Sequence, residues 1–368
     1  VPFGLEPWDV TVDLAPVLER REIGFIAGRV REIMPGRRLV SIEPQHAWES
    51  SLHSYDALVV ATGAQTKASE VPGLAEHGLD VTRLSDLLRM RQSLEQMRKT
   101  ACTASMGSIV FYIPGGVGCV APVYELALMT ESWLRSHDCD RCFEISVVTA
   151  EEQPGEAYGH PMSEMLRSRL LAHGIVLRRQ CHVEWISPQC VSLRGGETIH
   201  YDLLVAHPPQ VSLVAADFVP RDARGFIRTE PRSHRIVGCP RAYAVGDVTS
   251  CPIKQGFLAL ASAHDVVDEV CTDLFSETFT RDAQPLHRMV IGEADDGIFA
   301  QLACRPDGTV DDDDPRTHTG SSRLWSLGKR LVGRQVMARV QAGEPLLDGL
   351  AHRGLEAGVD MLMPFFAM

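Results

Sequence analysis

The sequence predicts an α/β protein of two related domains, the second inserted in the first, with a small C-terminal segment after them. Three observations carry that prediction. One three-strand pattern occurs twice, in the same order. A strand, a Gly-rich turn and a helix precede the second copy. And Ala242-Tyr243-Ala244-Val245, a short apolar run of strand type, leads into Gly246-Asp247 and then into an Ala-rich helix expected from about Gly256 to Leu274.

In the repeat, Val30-Arg31-Glu32-Ile33-Met34-Pro35 matches Val183-Glu184-Trp185-Ile186-Ser187-Pro188. Val40-Ser41-Ile42 matches Val191-Ser192-Leu193, and Tyr55-Asp56-Ala57-Leu58-Val59-Val60 matches Tyr201-Asp202-Leu203-Leu204-Val205-Ala206. Alternating apolar residues read as half-buried strands, and the continuous runs that close each copy read as strands buried on both faces. Gly24-Phe25-Ile26-Ala27 reads as a further apolar run of the first copy, and Pro35-Gly36 as a turn. Matched strands in one order indicate two copies of one supersecondary plan. Residues 82–99 are polar with helical character and read as a crossover.

The second copy has a front half. Ser108 to Ile113 is a buried strand, a helix follows from about Pro122 to Ser136, and Phe143 to Val148 is the next strand. Parallel strands need such a crossover helix, so this is a βαβ unit. Its turn, Gly116-Val117-Gly118-Cys119-Val120-Ala121, fits G-x-G-x-x-A. In that pattern the first Gly permits the tight turn, the second lets a pyrophosphate approach, and the small third residue lets helix and strand sit close. Pro122 suits a first helical turn, where its missing N–H is not needed. Glu151 or Glu152, past the second strand, supplies the carboxylate that binds a ribose diol and repels a 2′-phosphate, which favours NADH over NADPH. The alternative is a nucleotide fold without a ligand. The first copy begins at Val30, too near Val1 for a matching βαβ unit, so the sequence is expected to lack the opening unit of its first fold.

At Gly246-Asp247 the Gly lets a ligand come close to the backbone. The following helix offers unpaired N–H groups at its N-terminus, and Asp247 can accept a hydrogen bond from a ribose-like hydroxyl. The plain alternative is a strand-turn-helix with an Asp cap.

Composition sets the bounds. With 368 residues, the chain is long enough for two ordinary domains. Its net charge of −12 argues against a nucleic-acid partner. No apolar run reaches the roughly 18–20 residues of a membrane span. The 10 Cys are irregularly spaced, which points to a reducing compartment and a cytoplasmic location. Asp311 to Asp314 reads as a solvated loop. Near the end, Leu324, Leu327, Leu331 and Val336 share one face of a helix that also carries Lys329, Arg330 and Arg334. We read that face as core-packing, with contact to a membrane surface as the alternative.

A strand ending in Ala61-Thr62-Gly63, then the Gly-rich turn, then Ala244-Val245-Gly246-Asp247 before a helix, is the order of two-dinucleotide flavoproteins. The chain resembles the FAD-dependent pyridine nucleotide-disulfide oxidoreductase family, most closely the branch of sulfide:quinone oxidoreductases and single-subunit NADH dehydrogenases. The resemblance runs from about Phe3 to about Gln341 and is sharpest over Tyr55 to Gly63, Val123 to Met129 and Tyr243 to Gly256. It implies two Rossmann-like folds: an FAD domain over 1–100 and 211–300, an NAD-binding-like domain over 101–210, and a segment 301–368 that covers the flavin or makes a homodimer contact. It implies that Ala61, Thr62 and Gly63 pass near the FAD pyrophosphate and ribityl chain, and that Gly246 and Asp247 hold that chain. Lys254, Gln255 and Gly256 would set the helix N-terminus, with its positive dipole end, against the flavin pyrimidine ring. Gly116, Gly118, Glu125 and Glu151 belong to the NAD(H) side. The family's opening G-x-G-x-x-G for the FAD adenosine end is not found among Gly4, Gly24, Gly28 and Gly36.

The expected function is electron transfer from NAD(P)H or another donor through FAD to a quinone or small acceptor. One alternative is sulfide:quinone oxidoreduction, for which the resemblance offers Cys119 without a clear partner. Another is a non-catalytic nucleotide-binding protein that has lost FAD. Cys139-Asp140-Arg141-Cys142 has no second pair at zinc spacing and reads as chance. His200, His207 and His264 show no metal-ligand spacing. No residue is singled out as catalytic.

Overall fold

The architecture is taken from a computed structural model that describes residues 2–45, 49–100, 106–212, 219–279, 286–294, 296–305 and 307–344. At its centre is a five-stranded parallel sheet in the order Leu79–Asp80, Leu203–Ala206, Gly107–Ile113, Phe143–Thr149, Val176–Arg178. The apolar runs read from the sequence form its middle, and alternation decides what each face meets. Ile109, Phe111, Ile113, Val147, Leu203 and Val205 pack against helices Leu84–Thr100, Ala121–Ser136 and His160–Ala172. Val110, Tyr112, Val148, Leu204 and Ala206 face the other way, onto Ile186, Val191, Leu193 and Ile199 of an antiparallel sheet. That sheet is Val183–Ser187, Cys190–Leu193 and Thr198–His200.

The repeat is real in three dimensions. Gly28–Met34, Leu39–Pro44 and Ser51–Ser54 make a second three-stranded antiparallel sheet, followed by Leu58–Val60, which pairs in parallel with Ala242–Ala244. The correspondence reaches the irregularities. The first strand of each sheet carries a register shift at the same place in the motif, between Val30 and Glu32 in one copy and between Val183 and Trp185 in the other. A bulge inserts one residue and bends the strand, so both copies bend alike. Ile33, Val40, Val60, Ile227, Ala242 and Ala244 form the first fold's core. Helix Gly256–Phe275 covers the far side of its parallel pair through Val266, against Tyr243 and Val245.

Several expectations change. The central sheet takes its edge strand from Leu79–Asp80, well before the expected boundary at 101, because Val205 and Ala206 pair with Leu79 and Asp80; residue 101 itself lies outside the described residues. Gly24–Ala27 is not a strand, and Phe25 is 59 % exposed. Helix Ala15–Arg20 and strand Ser51–Ser54 gave no readable signal. Leu286–Gly292 and most of Gly297–Ala303, expected within the FAD domain's 211–300, join instead with His318–Ser321 of the C-terminal segment in a third antiparallel sheet. Its buried residues Met289, Ile291, Ile298, Ala300 and Leu302 merge with the core of the second nucleotide fold. Residues 345–368 of the expected segment lie outside the described residues.

The last helix, Arg323–Ala342, forms as expected, but its apolar face is turned the other way. Leu324, Leu327 and Leu331 are each about half exposed. The helix packs instead by Trp325, stacked on Phe299 at 4.3 Å, by buried Ser326, and by Lys329.

Candidate functional site

The first fold brings two chain segments side by side. Leu58–Val60 ends at Ala61-Thr62-Gly63, and Ala242–Ala244 ends at Val245-Gly246-Asp247, with Val245 N–H donating to the Val60 carbonyl at 3.0 Å. Both glycines turn the chain through left-handed backbone, Gly63 at φ +68° and Gly246 at φ +71°, which side-chain residues adopt only with strain. The outcome is a cleft of about 360 Å³ lined by Ala61, Gly63, Val245, Gly246, Asp247, Gly256, Ala259 and Ala263. Five of the expected FAD residues line it. Thr62 is exposed beside them.

The wall of the cleft is open at two of its glycines. A Cβ placed on Gly63 or Gly256 would meet nothing within 4 Å. Helix Gly256–Phe275 starts here with no side-chain cap, so its first N–H groups and its positive dipole end are uncompensated by a side chain. The Oε1 of Gln255, the residue before it, is buried without a hydrogen-bond partner, which a native fold rarely leaves unanswered. Asp247 is partly buried, and burial pushes its carboxyl up, while the charges of Lys254 and then His207 pull it down. Such a carboxylate gains by accepting a hydroxyl.

Lys254 is placed differently from the expectation. Its side chain is 4 % exposed and turned inward. The ammonium donates to the Thr249 carbonyl and sits 3.8 Å over the centre of the Phe226 ring. Burial lowers its pKa. It acts on the cleft as a buried positive charge near Asp247.

The Gly-rich turn of the second fold abuts this junction. Lys254 N–H donates to the Gly118 carbonyl at 2.8 Å, and Gln210 N–H to the Gly116 carbonyl at 3.1 Å. Gly118 N–H donates to the Gln210 side chain at 2.9 Å. A Cβ on Gly118 would fall 2.3 Å from Lys254 Cγ and 2.9 Å from the Pro252 carbonyl oxygen. This glycine therefore serves close packing between the two folds. Gly116, at φ +81°, faces the Arg224 guanidinium, whose atoms lie 3.1–3.4 Å from a Cβ built there. Arg224 is tied to the Gln210 carbonyl at 2.7 Å and to Glu70 at 3.0 Å.

The two acidic residues expected on the NAD(H) side are engaged within the protein. Glu151 accepts from the Tyr124 hydroxyl at 2.6 Å, from Thr149 Oγ1 at 3.0 Å and from Gly155 N–H at 2.9 Å. Burial nonetheless raises its pKa. Glu125 pairs with Lys329 of the last helix at 2.5 Å. The other candidate acid, Glu152, is held through its N–H by Glu156 Oε2 at 2.9 Å.

Cys119 stands where the two junctions meet. Burial and then the Asp247 carboxylate push its thiol up to about 11, opposed by a hydrogen bond with Tyr158. It is therefore a thiol, not a thiolate, in this environment. Cys139 is a free, buried thiol and Cys142 is held in a disulfide, so the C-x-x-C does not act as a dithiol pair. Sequence reasoning missed Arg224, Gln210 and Tyr158, which lie far along the chain from the turns they touch, and left His207 unassigned. His207 follows strand Leu203–Ala206, a visible signal, and is 2 % exposed. Burial lowers its pKa, with Asp80 and Asp247 among the groups acting against that. Among the described residues no His, Cys, Asp and Glu group could hold a metal ion, and no helix is long and apolar enough to cross a membrane.

Comparison with known proteins shows the family and the fold. An NADH dehydrogenase-like protein of Mycobacterium tuberculosis is 26 % identical over 256 residues, covering 68 % of this chain and 61 % of that protein. A sulfide-quinone reductase of Aquifex aeolicus is 23 % identical over 292 residues, covering 71 % of this chain and 64 % of that one. The chain thus spans less than two thirds of the length of these relatives. The solved structure of the Aquifex aeolicus sulfide:quinone oxidoreductase superposes with a TM-score of 0.78 at 19 % identity, over 96 % of this chain and 83 % of that chain, which establishes the shared α/β fold of two Rossmann-like domains. The model of the pyridine nucleotide-disulphide oxidoreductases matches residues 16–265, and the chain belongs to that family.

Proposed function

We propose that this chain binds FAD in the cleft at Gly246-Asp247 and works as a flavin-dependent oxidoreductase, passing electrons from NAD(P)H or another reduced donor to a quinone or small acceptor. The observation that carries the reading is the cleft itself: Ala61, Gly63, Gly246, Asp247 and Gly256, distant in sequence, line one cavity. In this reading Gly63 and Gly246 let the pyrophosphate and ribityl chain lie against the backbone, and Asp247 accepts from a ribityl hydroxyl. The N-terminus of helix Gly256–Phe275, with Gln255 beside it, faces the electron-rich edge of the ring. Bound flavin would supply the two-electron chemistry, and the protein supplies position and field. A pyridine nucleotide arriving at Gly116 would meet Arg224, a cation suited to its phosphates. The packing of Gly118 against Lys254 leaves Gly116 as the side of approach.

The acceptor reading draws on the last helix. An outward face of Leu324, Leu327 and Leu331, bordered by Arg330 and Arg334, fits the surface of a bilayer in which a quinone is dissolved. The chain would then work from the cytoplasm at a membrane surface. A second donor reading, sulfide, rests on Cys119, which lies in the Gly-rich turn and feels the Asp247 charge. Replacing Cys119 by Ser abolishes sulfide-dependent quinone reduction in that case and spares NADH-dependent reduction in the first.

The experiment is spectroscopic. Purified protein mixed with FAD and gel-filtered should retain the visible flavin bands, bleach them anaerobically on adding NADH, and recover them on adding a soluble quinone. Absence of flavin from an excess of FAD, also in a chain extended upstream of Val1, overturns both redox readings and leaves a nucleotide-binding protein without redox activity.

A further inference from the structure

Beyond the apolar core they share with it, the C-terminal sheet and helix are tied to the second nucleotide fold by two polar holds. One is Lys329, which pairs with Glu125 of helix Ala121–Ser136 at 2.5 Å and donates to the Val290 carbonyl at 2.9 Å. The other is a row of charges. Arg135 pairs with Glu131 at 3.0 Å, and Glu131 Oε2 lies 2.6 Å from His173 Nδ1. His173 Nε2 lies 3.3 Å from Glu293 Oε2, and Arg169 Nε lies 3.7 Å from Glu293 Oε1. Arg169 also pairs with Asp296. Ser326 of the last helix donates to the Glu293 carbonyl at 2.9 Å.

The row crosses three elements. Glu131 and Arg135 come from helix Ala121–Ser136. His173 ends helix His160–Ala172, which also carries Arg169. Glu293 and Asp296 lie in the turn between strands Leu286–Gly292 and Gly297–Ala303. Glu293 is 4 % and Glu131 9 % exposed, so neither carboxylate is well served by water. A histidine with each ring nitrogen on a carboxylate makes both bonds only when both nitrogens carry protons. With one proton gone, a ring lone pair faces a poorly hydrated carboxylate.

We propose that His173 is a proton-controlled clamp: charged, it bridges Glu131 to Glu293 and holds Glu293, and through Ser326 the last helix, against the second nucleotide fold; neutral, it lets them loosen. The groups that face it among the described residues are Glu131, Glu293 and, one contact further, Arg135, Arg169 and Asp296. The hydrogen bond to Glu293, joined by that to Glu131 and opposed by burial, raises the His173 pKa above its ordinary value of 6.5. A raised histidine contributes its stabilisation fully below the unfolded value and loses it as pH climbs through the folded value. The clamp therefore opens on the alkaline side, while the Lys329–Glu125 hold remains. Its consequence is a helix, bearing the outward leucines, whose seating depends on pH.

The test is hydrogen exchange of the full chain at about pH 6 and about pH 9, corrected for intrinsic exchange rates. Peptides spanning 286–294 and 322–330 should lose protection at the higher pH, by about tenfold for each unit by which His173 stands above its ordinary value. Peptides spanning 107–113 should keep theirs. His173→Gln should show low, pH-independent protection in the same peptides, with an unchanged far-ultraviolet spectrum. Glu131→Gln, which leaves His173 only Glu293, should move the loosening to lower pH. Equal protection of the wild-type peptides at the two pH values overturns the proposal without any variant, and so does a pH dependence that survives in His173→Gln.

Discussion

Replacing Gly246 by Ala separates the structural role of the cleft from its binding role. Gly246 sits at φ +71°, where a side chain costs about 1–2 kcal/mol. The new Cβ would stand 3.0 Å from Ala259 Cβ and 3.7 Å from Ala259 Cα, inside the roughly 3.5–4.0 Å optimum for carbon atoms. Helix Gly256–Phe275 must then shift by a few tenths of an ångström. The sum is about 2 kcal/mol, or about 4 °C or more in Tm for a domain of this class. The methyl also wedges between two residues that line the cleft. Gly174 provides the control: it has φ +65° and nothing within 4 Å of its Cβ, and it lies beyond helix His160–Ala172, away from the cleft lining. Gly174→Ala should lose a similar 1–2 kcal/mol for the backbone and keep its flavin. Gly246→Ala should lose both stability and flavin, measured as thermal midpoint and as flavin-to-protein ratio after gel filtration with FAD. If Gly246→Ala retains flavin as well as Gly174→Ala does, the cleft is not the flavin site. If it melts no lower than wild type, Gly246 does not hold a left-handed turn.

The other predictions are briefer. Asp247→Asn should raise the Tm of flavin-free protein at neutral pH, because burial raises the folded pKa of Asp247 and an elevated carboxyl destabilises the fold at pH above its unfolded value. The gain should vanish as pH falls to about 4, the unfolded value, while flavin affinity drops by about tenfold for a lost charged hydrogen bond. Gly118→Ala, with its Cβ 2.3 Å from Lys254 Cγ, should lose about 1–3 kcal/mol by overpacking, read by urea denaturation. Replacing Leu324, Leu327 and Leu331 together by Gln should leave the Tm within about 1 °C, since exposed sites change stability little, yet should abolish co-sedimentation with anionic vesicles. Unchanged sedimentation would remove the membrane reading.

The repeat was the most legible feature of the chain. Strand alternation depends on local contacts only, so the three matched strands of each copy declared themselves without help from distant residues, while Ser51–Ser54 and Thr198–His200 did not. The shared bulge, at Arg31 and at Glu184, was not read from the sequence, because it shows only in how each strand pairs with its neighbour. The cleft residues were legible for a related reason. Gly63 and Gly246 stand where the chain must turn left-handed after a buried strand, and that need is written in residue type. The partners of the second turn were not legible. Gln210, Arg224 and Lys254 touch Gly116 or Gly118 across large separations in sequence, and nothing local distinguishes a glycine opened for a pyrophosphate from one closed by a neighbouring loop.

The last helix shows the same limit in a sharper form. Its leucine stripe states that one face wants an apolar partner; it does not say whether that partner belongs to the chain. The deciding contacts lie on the opposite side, where Trp325 stacks on Phe299, Ser326 reaches Glu293 and Lys329 reaches Glu125. Polar and aromatic groups thus anchor the helix, and the leucines are left facing outward. An anchor built from hydrogen bonds and ion pairs is also one that proton activity can adjust, whereas a leucine seam is indifferent to pH. The helix thus keeps its apolar face outward while its polar seat on the second nucleotide fold remains adjustable, and His173 lies at the titratable end of that seat.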